Sequence, residues 1–404
     1  MFKNIENTLK DSFEKINDIA LYNQEKVLKA FQNNHVALRH FSSTTGYGYD
    51  DIGRDTLCKL FADVFSCEKA IVSPLIANGT HALTLALFGI LRPNDTILYI
   101  SGEPYDTLQD VIKGDNIGSL KDFGVNFDKV ELLDNGEFDK DAILEKLSNY
   151  SPKMISIQRS RGYSWRNALT IEKFDDIIKF IRKYSPKSVI MVDNCYGEFV
   201  EKLEPSDVGA DLIVGSLIKN PGGGLAPTGG YIAGKAEYVD LVAGRLTAPG
   251  IGMEVGSYNT SYQYFYQGLF MAPHVVAQAM KASMLFSAVF SACGYDVMPK
   301  PNELGADIIT SIKFNNAEEL IKFCQAIQQC SPIDSFVLPE PWDMPGYNHK
   351  VIMAAGTFVQ GASIEMSADS PIKEPYIAYF QGSLTYEHAK IALKKCLELI
   401  GITL

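Results

Sequence analysis

The stretch Asp211–Gly224 reads DLIVGSLIKNPGGG, and its reading decides the fold. An apolar run ends in a hydroxyl, then a lysine, then three glycines. A lysine at the end of a buried strand must snorkel, pair or react, and a triple glycine gives up chain order for close backbone approach. Taken alone, the segment describes a strand that ends in a surface loop with a solvated lysine. Its neighbours change that. The runs KAIVS (69–73), TILYI (96–100), MISIQ (154–158), VIMVDN (189–194) and GGYIAG (229–234) also read as strands. They alternate with helix-like stretches such as THALTLALFGIL (80–91) and IEKFDDIIKFIRKY (171–184). Strands apolar throughout, with helices between them, describe an α/β domain whose largely parallel sheet is buried on both faces.

The rest of the chain bounds this reading. With 404 residues, 46% of them hydrophobic, it can bury a large core in two domains or one large one. Residues 1–45 read as a helical arm, 46–260 as the large α/β domain, 261–298 as a helical connection and 299–404 as a smaller α+β domain. In the last part, short strands are expected near 350–366 and 376–381. The net charge of −11, with both signs mixed, argues against nucleic-acid binding, which needs a basic patch. No apolar run is read as approaching the length of a membrane span, and the N-terminus lacks the apolar core of a signal peptide. Seven cysteines, an odd number, include no C-x-x-C pair. A reduced cytoplasmic protein with no cysteine zinc site is the expectation.

Ligands of a parallel sheet collect at the carboxyl ends of its strands. There the chain places Gly79 and Thr80, Tyr105, Gln158 and Arg159, Asp193, and finally Ser216 and Lys219. A glycine-hydroxyl turn that opens a helix offers N–H groups to a phosphate. An aromatic can stack on a planar ring, a strand carboxylate can pair with a protonated ring nitrogen, and a lysine can form a Schiff base with an aldehyde. Pyridoxal 5′-phosphate asks for all four. Singly, Gly79 reads as a turn glycine and Tyr105 as an ordinary half-buried tyrosine. Asp193 resists the plain reading, because an unpaired carboxylate in VIMVDNCY would be costly to bury. GGYIAGK imitates a nucleotide-binding loop, but Ala236 stands where the magnesium-binding hydroxyl should be, and YIA reads as a strand. Neither H-E-x-x-H nor G-x-S-x-G occurs and the six histidines are scattered, so metal hydrolysis and serine hydrolysis carry little weight and no metal is expected.

VDNCYGEFVE followed by DLIVGSLIKNPGGGLAPTGGYIAGK resembles the fold-type-I pyridoxal-phosphate enzymes, in particular the cystathionine/methionine lyases. GYGYDDIGRD, IQRSRGYSWR and EPYIAYFQGSLTYEH resemble the branch of aluminium-resistance, methionine γ-lyase-like carbon–sulfur lyases. The resemblance covers nearly the whole chain. It implies that Lys219 carries the cofactor, Asp193 pairs with its ring nitrogen with Cys195 beside it, and Tyr105 stacks on the ring, where it is also placed to donate a proton to the departing sulfur. Gly79, Thr80 and Ser216 would hold the phosphate. A Y-x-R motif from a neighbouring subunit also reaches that phosphate in relatives. Here Tyr49 fits its tyrosine, with Tyr47 a competitor. Asp51 occupies the arginine position, which leaves Arg54 as a shifted substitute.

The relatives bind the substrate carboxylate with an arginine of the C-terminal domain, yet no arginine follows Arg245. Arg161, Arg159 and Lys373 are the candidates. The implied activity is β- or γ-elimination on a sulfur amino acid, giving a thiol, a keto acid and ammonia. The implied assembly is a homodimer at least and a tetramer by resemblance. A transaminase or aldolase, or a non-catalytic cofactor-binding protein, are the alternatives.

Overall fold

The computed structural model describes residues 2–344 and 349–402. Seven strands form the larger sheet: β1 (Lys69–Ser73), β2 (Thr96–Tyr99), β3 (Asn126–Lys129), β4 (Met154–Gln158), β5 (Val189–Asp193), β6 (Leu212–Ser216) and β7 (Gly230–Gly234). Their order is β1-β7-β6-β5-β4-β2-β3. The run from β3 to β6 is parallel, whereas β7 is antiparallel to both of its neighbours. Successive side chains of a strand point to opposite faces, and here both faces are apolar. Ile155, Ile157, Ile190, Val192 and Ile213 belong to one buried cluster. Met154, Val189, Met191, Leu212 and Val214 belong to the other. This two-sided burial explains why the strands read as continuous apolar runs. The register pairs Gln158 with Asp193 and Asp193 with Val214, so β4, β5 and β6 deliver their carboxyl ends side by side.

Helices cover both faces. They are α1 (Phe2–Thr8), α2 (Lys10–Asn33), α3 (Ile52–Val64), α4 (Gly79–Ile90), α5 (Asp106–Lys113), α6 (Lys140–Asn149), α7 (Ile171–Tyr184), α8 (Ala236–Leu246), α9 (Gln263–Ala292), α10 (Ala317–Gln329) and α11 (Tyr386–Leu399). α4, α5 and α8 supply Leu83, Leu108 and Val239 to one face. α3, α7 and α9 supply Phe61, Phe174 and Leu269 to the other. The helical arm lies on α9 of its own chain: Phe31 packs edge-on to Phe270, and the Gln24 amide donates to the Phe270 carbonyl. By length and hydropathy α9 could cross a membrane, contrary to the sequence expectation. It is instead a core helix here, with 78% of its most apolar window buried inside the fold.

The smaller sheet is antiparallel throughout: β8 (Asp296–Met298), β9 (Ile309–Lys313), β10 (Val351–Ala354), β11 (Ser367–Pro371) and β12 (Ile377–Gln381), in the order β10-β11-β12-β9-β8. Strand was expected over 350–366, but only Val351–Ala354 of that span is strand and β11 begins at Ser367. A carboxylate makes the difference. Glu365 accepts the backbone N–H groups of Phe358 and Val359, both at 2.9 Å, and holds the intervening chain as a turn.

The triple glycine has a packing cause. Gly223 and Gly224 have φ of 53° and 73°, in the left-handed region. A Cβ on Gly222 would collide with the Leu217 carbonyl, one on Gly223 with the Gly268 carbonyl of α9, and one on Gly224 with Leu384. The glycines press the loop after Lys219 flat against α9 and the chain leading into α11. A surface loop would need no such contact.

Candidate active site

Lys219 follows β6 by one short turn, and its ammonium lies 3.9 Å from the centroid of the Tyr196 ring. The loop that carries it is fastened from below: the Asn220 amide donates to the Glu198 carbonyl at 2.9 Å. Burial favours the neutral amine, but Cys195, Tyr196, Asp193 and Glu198 outweigh it, and the net direction for Lys219 is upward. Asp193 ends β5, half-buried, and accepts the Cys195 N–H at 3.1 Å. Burial pushes its carboxyl above the usual range while Lys219 pulls it back. A protonated ring nitrogen at its tip would pull it further down.

The opposite wall is the first turn of α4. Asn78 caps that helix by accepting the His81 N–H at 2.8 Å, and the Thr80 hydroxyl bonds to Thr107 at 2.9 Å. A Cβ on Gly79 would stand 3.4 Å from Cβ of Ser216 and 3.5 Å from Sγ of Cys195, so the turn sits directly on β6 and Cys195. The Ser216 hydroxyl is buried without a hydrogen-bond partner. A helix N-terminus beside a buried, unsatisfied hydroxyl is chemistry suited to a phosphate.

These residues converge on one cavity of about 430 Å³. Gly79, Thr80, Tyr105, Asp193, Cys195, Ser216 and Lys219 all line it. Its volume suits a cofactor with a small substrate. The smaller sheet closes it with Met353, Asp369, Tyr379 and Gln381. A second, polar bay of about 510 Å³ shares Tyr105, Gln158, Gly162 and Tyr163 with it.

Two expected substrate arginines are committed elsewhere. Arg161 is 1% exposed and forks onto Asp307 with bonds of 3.2 and 3.0 Å, while its third nitrogen donates to the Met298 carbonyl at 2.7 Å. Arg159 is fully buried, bonded to Asn194 at 2.8 Å and paired with Glu201 and Glu204. Both tie the scaffold together rather than present a free fork to a ligand. Lys373 is exposed in the outer bay. Arg54 also turns inward, to Asp55, to Gly48 and to Gly256 of its own chain. Asp51, in the expected arginine position, is the N-cap of α3 and accepts the Arg54 N–H at 2.9 Å and the Tyr262 hydroxyl at 2.9 Å. Tyr47 and Tyr49 are 71% and 63% exposed and stack on each other, outside the cavity lining.

Among the lining residues that sequence reasoning missed, three bear on the chemistry. Tyr196 lies three residues beyond Asp193 with φ of 71°, a conformation rare outside glycine and found most at functional sites. Tyr163 joins Tyr379, at 5.0 Å between ring centroids, and Tyr105, at 6.4 Å. Asp369 comes from β11. The positive φ has no sequence signal, and Asp369 sits in a strand that was placed too early.

A twisted, mostly parallel sheet with its lysine after β6, its carboxylate on β5 and an antiparallel second sheet over the site defines the fold-type-I class of pyridoxal-phosphate-dependent enzymes. The same fold occurs in the pyridoxal-5′-phosphate-dependent protein YhfS of Escherichia coli, at a TM-score of 0.65 and 15% identity over 96% of this chain and 97% of that one. The family model described as methionine gamma-lyase matches residues 1–401, and the chain belongs to that family. The crystal structure of a carbon–sulfur lyase involved in aluminium resistance from Clostridium novyi NT superposes with a TM-score of 0.94. That protein is 50% identical, with 98% of this chain and 94% of that one covered. The uncharacterized protein YnbB of Bacillus subtilis (strain 168) is 50% identical over 383 residues, 94% of this chain and 91% of its own.

Proposed function

We propose that the chain is a pyridoxal-phosphate-dependent carbon–sulfur lyase that eliminates a thiol from a sulfur amino acid and leaves a keto acid and ammonia. The observation that carries this reading is the convergence of Lys219, Asp193 and the unsatisfied Ser216 hydroxyl on one cavity at the ends of β5 and β6. When bound, pyridoxal phosphate supplies an electron sink that makes the α-proton of an amino acid removable. The chain's own groups divide the remaining work. Lys219 would hold the cofactor and, as a free amine, would take the α-proton. Asp193 favours the protonated ring nitrogen by its charge. The N–H groups of Gly79 and Thr80 with the Ser216 hydroxyl would hold the phosphate, and Tyr105 would stack on the ring. Lys373 is the remaining candidate of three for the substrate carboxylate, as a point charge rather than a fork.

We read the active unit as a homodimer at least, and a dimer of dimers by family likeness. The exposed pair Tyr47 and Tyr49 supports it, beside Leu38, which is 82% exposed. Seven free cysteines suit a reducing, cytoplasmic location. Purified protein should be yellow, and borohydride should fix the cofactor on the peptide containing Lys219. A panel of cysteine, methionine and cystathionine-type substrates should yield thiol together with keto acid. Keto acid without thiol would identify a transaminase and end the lyase reading.

A further inference from the structure

The small-sheet wall of the cavity carries an acid that no arginine accompanies. The register runs Ser311, Tyr379, Asp369 and Met353 straight across β9, β12, β11 and β10. Directly paired residues share a face. Tyr379, Asp369 and Met353 all line the cavity. Tyr379 fixes the direction of that face, since its hydroxyl donates to the Tyr163 carbonyl at 2.6 Å. The Tyr163 hydroxyl in turn lies beside the Asp369 carboxyl and favours its ionised form. Apart from Asp193, which faces the large sheet's end, Asp369 is the only carboxylate among the described lining residues, and no guanidinium is among them.

Resting on the lyase reading, we propose that Asp369, rather than Tyr105, is the acid that protonates the departing sulfur, with Tyr163 beside it as the positioning residue. A carboxyl releases a proton near neutrality more readily than a phenol does. The electron pair left on carbon by removal of its proton forms the new C=C bond. The C–S bond breaks with its pair on sulfur, and the carboxyl proton of Asp369 passes to that sulfur to give a neutral thiol. Water reprotonates the carboxylate before the next turnover.

The surroundings keep the proton available. Burial raises Asp369 to about 7, against the neighbouring Tyr163 hydroxyl and the Lys219 charge, which both lower it. The other titratable groups that face it are Tyr196, Tyr379 and, from α10, Cys324, all of them neutral near that pH because burial raises each. The acid form is therefore present below about 7 and lost above it.

The test compares leaving groups. Asp369→Asn should lower kcat/KM for S-alkyl derivatives of cysteine and homocysteine by about a hundredfold or more, as loss of a general acid does. For the S-(4-nitrophenyl) derivatives, whose thiolate leaves without a proton, the change should be within about threefold. In the unaltered protein the S-alkyl rate should fall as pH rises past about 7, and Tyr163→Phe should move that fall to higher pH by removing a neighbouring hydroxyl that lowers the Asp369 pKa. Infrared difference spectra, with and without cofactor, should show a carboxyl band that titrates there and vanishes in Asp369→Asn. Equal losses for both leaving groups, no loss for either, or an Asp369 ionised from pH 5 upward would overturn the proposal alone. If the unaltered protein releases no thiol at all, the lyase reading falls and takes this one with it.

Discussion

Glu198 is fully buried below β6, where Gly215 leaves it room. Tyr231 donates to one of its oxygens at 2.8 Å, and the other has no partner. Burial is the main cause that pushes its carboxyl up to about 8. The folded chain then binds a proton that the unfolded chain releases near the ordinary value of 4.5. Its contribution to stability is complete below that value and is lost as pH rises through about 8, a loss on the order of a few kcal/mol. Glu198→Gln should flatten this part of the pH dependence, so that urea midpoints of variant and parent diverge between pH 5 and 9 in the variant's favour. Parallel midpoints would mean that Glu198 is ionised throughout. At this scale the sequence made legible the groups that end strands, namely Asp193, Ser216 and Lys219, because an apolar run points to them. Arg159 and Arg161 misled, since a charge is visible in sequence and its partner is not. Glu201, Glu204 and Asp307 stand 42, 45 and 146 residues away in the chain.

Among the elements, the short turn after β6 depends on glycine more than any other segment near the site. Gly223→Ala would place a Cβ against the Gly268 carbonyl in a left-handed conformation. The combined strain should cost about 1–3 kcal/mol. The measurable result is a lower melting temperature together with weaker cofactor retention, because Lys219 is four residues upstream. A variant that melts as the parent does would show that the turn can shift without loss. Most strands of the larger sheet were readable, since burial on both faces leaves an uninterrupted apolar signature. β3, with the sequence NFDK, escaped notice as a partly exposed edge strand. β11, SADSP, escaped because its small polar residues carry no strand composition.

At the scale of the whole molecule, the shared-site reading makes a sharp expectation. Chains carrying Lys219→Ala and chains carrying Tyr47→Ala with Tyr49→Ala should each be inactive alone. Mixed under conditions of subunit exchange, hybrid dimers should regain about half of the unaltered dimer's activity, since one of their two sites has every group intact. No recovery despite proven exchange would show that each chain completes its own site. The fork of Arg161 on Asp307 has a consequence for how such a site selects what it accepts. It joins the loop after β4 to the chain entering β9, and with its bond to the Met298 carbonyl it pins the two sheets together beside the cavity mouth. On the lyase reading, a cleft braced there is expected to act as a fixed gauge rather than a closing jaw. If that reading holds, discrimination among amino acids falls to the dimensions and polarity of a slot that is set before anything enters it.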